Sequence, residues 1–341
     1  MENLVNPWRG KGLSDEVLSG APVPSVDAAA PAALLKQCPA AGATPLIRIE
    51  GLGAQVWAKD ERQRMGLGSF KALGAAYVIA HEAAANGRDD LSNALQGETF
   101  VSSSAGNHGL SIAAGAKVFG AKAVIYLSEH VPEGFAERLR DLGADVVRAG
   151  SDYEGSMTAA MQAADDNGWT LLSDTSWPGY FDIPHRLMEG YLVMAAEAVE
   201  QMPQTPTHIF LQAGVGGLAG ACAAYFRKAW GDAPQIFVVE PEFAPALQVS
   251  IRDGKCVNSE GPVSDMGRLD CKEPSLIALK GLALDADAFV TITEEEGFAV
   301  LPILDGQGTS TSTSGGAGLA AAMALKLDAD DRVLCIISEG A

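Results

Sequence analysis

The chain has 341 residues, 48% of them hydrophobic and 20% charged, with a formal net charge of −19 at pH 7. With an isoelectric point near 4.6 and a mean hydropathy of +0.10, it has ample apolar residues for a large core and enough length for two lobes. No stretch concentrates Lys and Arg, which argues against nucleic-acid binding, so an anionic ligand must be held locally by backbone amides against the overall field.

Residues 1–40 are rich in Pro, Gly, Ala and Ser and read as an irregular arm over the body. Beyond them, apolar β-branched runs alternate with alanine-rich stretches. Strands are expected at 55–59, 99–103, 123–127, 145–148, 170–173, 208–212, 236–240, 289–293 and 333–338. Helices are expected at 71–86, 109–119, 132–142, 153–167, 188–202, 218–230 and 316–327. Strand followed by helix followed by strand is the pattern of mostly parallel open sheets flanked by helices, an α/β fold. The unbroken apolar run Ile209-Phe210-Leu211 fits a strand buried on both faces. The segment 254–284 is poorly periodic and reads as a long excursion, often functional in a compact domain.

The five cysteines, Cys38, Cys222, Cys256, Cys271 and Cys335, are odd in number and show no CxxC spacing. Neither a disulfide framework nor a zinc site is indicated, and no metal is expected. The first twenty residues lack a charged-then-apolar leader pattern, and no uninterrupted apolar run reaches membrane-spanning length. The expectation is a cytoplasmic protein with no membrane partner.

Chemistry concentrates in four places. Lys71 stands in Gly68-Ser69-Phe70-Lys71-Ala72-Leu73-Gly74, just after an apolar strand. Among small and apolar neighbours, burial would disfavour its ammonium and free the amine to attack a carbonyl; a snorkelling lysine is the alternative. The loop Ser102-Ser103-Ser104-Ala105-Gly106-Asn107-His108-Gly109 brings hydroxyls, an amide and closely approachable backbone to a helix start. The same loop also suits an ordinary serine-capped turn. Gly214-Val215-Gly216-Gly217-Leu218 leads from a strand into a helix and has the makings of a phosphate cradle. It follows neither the GxGxxG nor the GxxxxGK[ST] pattern, so a small phosphate ester fits better than a nucleotide. Ser338 closes a buried strand, where its hydroxyl could meet a ring nitrogen or simply cap the strand.

Together these loops resemble the fold type II pyridoxal-phosphate enzymes, the tryptophan-synthase-β-like superfamily. Within it the chain looks most like the diaminopropionate ammonia-lyases. The resemblance runs from Thr44-Pro45-Leu46 nearly to the C-terminus. It takes in Lys59-Asp60-Glu61, Ser69-Phe70-Lys71, Gly106-Asn107-His108-Gly109, Asp174-Thr175-Ser176-Trp177, Gln212-Ala213-Gly214-Val215-Gly216 and Ser338-Glu339-Gly340.

The resemblance implies a two-lobed enzyme. Residues 1–75 and 188–341 would form a large cofactor-binding lobe and 76–187 a small mobile one, the usual assembly being a homodimer. Lys71 would hold pyridoxal 5'-phosphate as an imine and act as the proton-transfer base, with Phe70 beside the cofactor. Asn107 would bond its phenolic oxygen, Gly214, Val215, Gly216, Gly217 and Leu218 its phosphate, and Ser338 its ring nitrogen. Ser103, Ser104, Ala105, Gly106 and His108 would line the substrate pocket, and Asp174 would recognise an amino leaving group or assist its departure. One position departs from the pattern: where those lyases carry an aspartate directly before Gly-Asn-His-Gly, this chain has Ala105.

The implied reaction is β-elimination from a 2,3-diaminopropionate-like amino acid, through an aminoacrylate, to a 2-oxo acid and ammonia. A serine, threonine or 3-hydroxyaspartate dehydratase shares that mechanism. A β-replacement synthase, which needs a second nucleophile trapped in a closed pocket, and an amino-acid racemase are alternatives of different reaction classes.

Overall fold

The computed structural model describes residues 1–38, 40–87, 90–325 and 327–341. Positions 39, 88, 89 and 326, which fall in the expected arm, small lobe and last helix, lie outside the described residues. The strands are β1 Glu2–Val5, β2 Leu46–Ile49, β3 Gln55–Asp60, β4 Thr99–Ser103, β5 Lys122–Leu127, β6 Asp145–Arg148, β7 Thr170–Leu171, β8 His208–Gln212, β9 Gln235–Pro241, β10 Ala288–Ile292 and β11 Arg332–Ile337. The α-helices are α1 Ala29–Leu35, α2 Lys71–Ala85, α3 Asn107–Val118, α4 Glu133–Asp141, α5 Tyr153–Asn167, α6 Asp182–Gln201, α7 Gly217–Trp230, α8 Ala246–Asp253, α9 Leu276–Asp285, α10 Glu294–Ala299, α11 Leu301–Asp305 and α12 Ala317–Ala324.

Two sheets form. The larger has the order β1-β10-β9-β8-β11-β3-β2 and the smaller β6-β5-β4-β7. The five inner strands of the larger sheet run parallel, and the edge strands β1 and β2 join antiparallel. The smaller sheet is parallel throughout.

Alternation along β8 and β11 shows why a nearly continuous apolar strand is needed. Ile209, Leu211, Leu334 and Ile336 face a core shared with α2, α6 and α7. Phe210, Val333, Cys335 and Ile337 face a second core under α12. Successive side chains point to opposite faces, and here both faces are covered by helices. The first core also takes in Phe100, Ile125 and Leu127, so it joins the two sheets. A smaller cluster of Val101, Val124, Ala160 and Ala164 lies on the other face of the small sheet, under α5.

Two expectations need correction. The 1–40 arm is not simply irregular. It contributes β1, which pairs with β10 in the register Leu4↔Phe289, and α1. The Asn6 side chain donates to the carbonyls of Leu282, Ala283 and Ala286 at 3.3, 2.9 and 2.7 Å, satisfying the otherwise orphaned end of α9. The 254–284 excursion in turn holds most of α9, an apolar helix buried almost all round, where the amphipathic signal is lost. The expected lobe boundaries at 75/76 and 188 fall inside α2 and α6.

The stretch between β3 and α2 is anchored by buried charges. The Arg64 guanidinium donates to Glu61 at 2.7 Å, to Glu197 at 2.6 Å and to the Thr44 hydroxyl at 2.9 Å. Lys59 Nζ lies 2.6 Å from Glu197. Two cations face two carboxylates, so no buried charge is left uncompensated. The network ties Thr44, the exit of β3 and α6 into one unit.

Candidate active site

Lys71 opens α2. The segment before it is held by the chain's last strand: the Phe70 N–H donates to the Ser338 carbonyl and Gly340 N–H to the Gly68 carbonyl, each at 3.0 Å. Ser69 and Glu339 form an antiparallel bridge. Because β11 and β3 are parallel neighbours, Lys71 and Ser338 gather at one sheet edge, where open α/β sheets take their ligands.

Lys71 Nζ pairs with Asp174 Oδ2. Their side chains remain 23% and 19% exposed, so the pair is enclosed without being sealed. Burial disfavours the Lys71 ammonium, but Asp174, with Tyr191 and Cys271 adding smaller effects, outweighs it and raises the pKa. Burial likewise opposes ionisation of Asp174, and Lys71, then His108, hold the carboxyl below its ordinary value. The expectation that burial lowers the Lys71 pKa is therefore overturned for the free amine. The neighbouring carboxylate decides the sign.

Asp174 sits on a bend just after β7, and its segment is pinned on both sides. Ser176 Oγ accepts from the Ile277 N–H at 2.9 Å and lies 2.7 Å from Ser275 Oγ, so a residue leaving the small sheet caps α9. The Tyr180 hydroxyl donates to the Leu171 carbonyl at 2.7 Å and accepts from the Ser173 N–H at 3.1 Å. His108 is buried with Nε2 on the Leu172 carbonyl at 3.0 Å, and burial lowers its pKa. A neutral ring donating from Nε2 props the strand that delivers Asp174.

The glycine loop completes the constellation. Gly216 has φ +100°, a left-handed conformation, and a Cβ there would stand 2.9 Å from Ala278 Cβ. A Cβ on Gly214 would stand 3.0 Å from Cys271 Sγ. No side chain caps α7, so its first N–H groups have the character of an anion site. Leu218 follows, buried, in the first turn.

Two residues link this loop to Lys71. The Tyr191 ring lies 3.7 Å from the Cβ position of Gly217 and stacks, tilted, on Phe70 with centroids 4.9 Å apart. The Tyr191 hydroxyl is buried with no hydrogen-bond partner among the described residues. The Cys271 thiol, pushed up to about 11 by burial and then by Asp174, stays neutral beside the pair.

In the serine loop, Ser103 ends β4. Ser104 Oγ accepts from the N–H groups of Gly106 at 3.3 Å and Gly109 at 3.1 Å, which turns the chain into α3. Ala105 is exposed and Asn107 is the first residue of α3. The Asn107 amide donates to Glu339, whose other carboxylate oxygen accepts from Ser312. The site residues singled out in the sequence thus lie on the strand ends, loops and first helical turns around these contacts. A cavity of about 670 Å³ lined by Glu82, Tyr180, Asp182, His185, Arg186 and Glu189 contains none of them.

The sequence alone does not mark Tyr191, Cys271, Glu339 and Arg268 as site residues. Tyr191 lies at helical spacing in an apolar helix and looks like core. Cys271 and Arg268 lie in an aperiodic stretch. Glu339 alone carried a signal, as an acid directly after Ser338.

The residues present suit a phosphorylated aldehyde: a lysine, an uncapped glycine-rich helix start, and an orphaned hydroxyl between them. The family described as pyridoxal-phosphate dependent enzyme matches residues 38–339. The chain belongs to that family. It is 34% identical over 284 residues to diaminopropionate ammonia-lyase of Salmonella typhimurium, covering 75% of this chain and 70% of that one. It is 26% identical over 291 residues to L-threonine ammonia-lyase of Thermotoga maritima, covering 85% and 68%. The crystal structure of Escherichia coli diaminopropionate ammonia-lyase, in complex with an aminoacrylate-PLP azomethine reaction intermediate, superposes with a TM-score of 0.86 at 28% identity. That match covers 99% of this chain and 93% of that one. The fold is accordingly the fold type II α/β architecture of this family, parallel sheets flanked by helices. Among the described residues, no helix is long and apolar enough to cross a membrane.

Proposed function

We propose that the chain is a pyridoxal-phosphate-dependent ammonia-lyase, catalysing β-elimination from a 2,3-diaminopropionate-like amino acid to give a 2-oxo acid and ammonia. The observation that carries this reading is the Lys71–Asp174 pair, a base and a carboxylate set between the glycine loop and the serine loop. Bound pyridoxal phosphate supplies an electron sink for the pair of electrons left at the substrate's α-carbon.

Lys71 would hold the cofactor and, once released by the incoming amino group, take the α-proton at Nζ. Asp174 Oδ2, in contact with that nitrogen, would bind the β-ammonium and steady its departure. Phe70 packs beside the lysine, Asn107 would offer an amide donor to the cofactor's phenolic oxygen, and Ser338 would offer its hydroxyl to the ring nitrogen. A hydroxyl there would leave the ring less cationic than a carboxylate would, which would favour loss of the β-group over reprotonation. Gly214 to Leu218 would take the phosphate. Ser103, Ser104, Ala105 and Gly106, with the α3 N–H groups, would take the α-carboxylate, while His108 supports Asp174 from behind.

In this reading residues 76–187, which carry the small sheet, form the lobe that closes over the substrate. The enzyme works as a homodimer in the cytoplasm. Water as the leaving group is the second reading, supported by the match to an L-threonine ammonia-lyase.

Product stoichiometry tests both. 2,3-Diaminopropionate should give two ammonia per pyruvate, whereas serine should give one. A panel of β-substituted L- and D-amino acids that yields no 2-oxo acid would overturn the proposal.

A further inference from the structure

The aperiodic stretch before α9 runs between the two ligand loops and carries one basic side chain to the serine loop. Arg268 Nη1 donates to the Ala105 carbonyl at 3.3 Å, and a Cβ on Gly106 would stand 3.3 Å from that same nitrogen. The main chain of Arg268 is fixed from two sides. Its N–H donates to Ser314 Oγ at 3.1 Å, and its carbonyl lies 3.2 Å from the Cβ position of Gly214. A held backbone therefore projects a guanidinium over Ala105-Gly106.

That charge is only loosely matched. Arg268 Nε is 3.5 Å from Glu339 Oε2, and the Glu339 carboxylate already accepts from Asn107 and Ser312. The side chain keeps 48% exposure. A guanidinium has five N–H donors in a planar fork suited to a carboxylate, and one of them is spent on Ala105. Ala105 itself brings no charge. In a chain of net charge −19, an acidic substrate needs such a local cation.

We infer that Arg268 is a specificity-determining residue that receives a second carboxylate of the substrate, so that the substrate class is 3-substituted aspartates bearing an amino or hydroxyl group on the β-carbon. The inference rests on the β-elimination reading above. The α-carboxylate has the N–H groups of the serine loop, and Arg268 overhangs that loop from the opposite strand of chain. Elimination breaks the Cα–H and Cβ–X bonds. The proton passes to Lys71 Nζ, the bonding pair leaves with X, and X departs protonated as ammonia or water. The released enamine takes up one water to give a 2-oxo dicarboxylate and ammonia, with no net oxidation.

The test uses the holoenzyme and two ligands without a β-leaving group, L-aspartate and L-alanine, titrated by calorimetry. L-Aspartate should bind at least about 10-fold more tightly, the scale of a charge-assisted contact. Arg268→Gln should erase that ratio and Arg268→Lys should keep part of it. The kcat/KM for 3-hydroxyaspartate should fall by at least about 10-fold in Arg268→Gln relative to that for 2,3-diaminopropionate. Equal affinities in the wild type would overturn the proposal without any variant, and so would an equal weakening of both ligands in Arg268→Gln. A holoenzyme whose Lys71 carries no borohydride-reducible imine would remove the β-elimination reading itself, and this inference with it.

Discussion

Lys71 Nζ and Asp174 Oδ2 form an ion pair between residues 103 positions apart, joining the head of α2 to the exit of β7. The pair couples the lysine's charge to the small sheet. Burial lowers the Lys71 pKa, and the carboxylate, together with Tyr191 and Cys271, more than offsets it.

Asp174→Asn removes the largest influence that raises the Lys71 pKa, so the free Lys71 amine should titrate at lower pH. Amine-specific labelling of Lys71 against pH, quantified by mass spectrometry before pyridoxal phosphate is added, reads this directly. An unchanged profile contradicts the pairing. The stability arising from the pair has a defined window. The lowered Asp174 contributes above its ordinary 3.8 and loses that contribution as pH falls, while the raised Lys71 contributes below its ordinary 10.5 and loses it as pH rises. Denaturant midpoints of wild type and Asp174→Asn should differ most between those values and converge outside them.

Gly216→Ala forces a left-handed φ on alanine and presses its Cβ to 2.9 Å from Ala278 and 3.0 Å from Leu247. Strain of this kind costs about 1–3 kcal/mol. Thermal unfolding should register that loss, and cofactor titration should show weakened binding, because the same residue shapes the approach to α7. Wild-type affinity in a correctly folded variant would remove the loop from the phosphate site.

Tyr191→Phe deletes a buried hydroxyl that has no hydrogen-bond partner among the described residues. Losing an unsatisfied group costs the cofactor-free protein nothing and can stabilise it. If the hydroxyl serves the ligand, pyridoxal phosphate should bind about 2- to 10-fold more weakly, the scale of one hydrogen bond. Destabilisation with unchanged cofactor affinity would make Tyr191 structural.

Ala105→Asp restores the acid that the resembling lyases carry before Gly-Asn-His-Gly, but at a position whose carbonyl already meets Arg268. The new carboxylate should be held by the guanidinium. Turnover of a D-isomer is therefore expected to rise more in the Ala105→Asp, Arg268→Gln double variant than in Ala105→Asp alone. Release of 2-oxo acid from the pure D-isomer decides it, and equal activity in the two would show that Arg268 does not engage the residue.

Much of the fold was legible because β8 and β11 are apolar on both faces and each follows a polar turn, 204–207 and 328–331. The strand 208–212 and the helix 153–167 fall at the expected bounds. β1 and β2 escaped notice because they are short edge strands, mostly exposed or half-buried, with no apolar run to announce them. α9 escaped because burial almost all round removes helical periodicity. In the site, Lys71, Asn107 and the glycine loop stand out by local composition. Tyr191 and Arg268 do not, since each gains its meaning from a loop brought close only by the fold. The charge of Lys71 was misjudged for the same reason: burial is legible in its neighbours in sequence, whereas Asp174 arrives from another sheet.

The account turns on Lys71 as the residue that carries the cofactor. Borohydride reduction of the holoenzyme, followed by proteolysis and mass spectrometry, should place a phosphopyridoxyl group on Lys71, and Lys71→Ala should lose both the label and at least about 10³-fold of kcat/KM. A label on another lysine, or full turnover in Lys71→Ala, would contradict it.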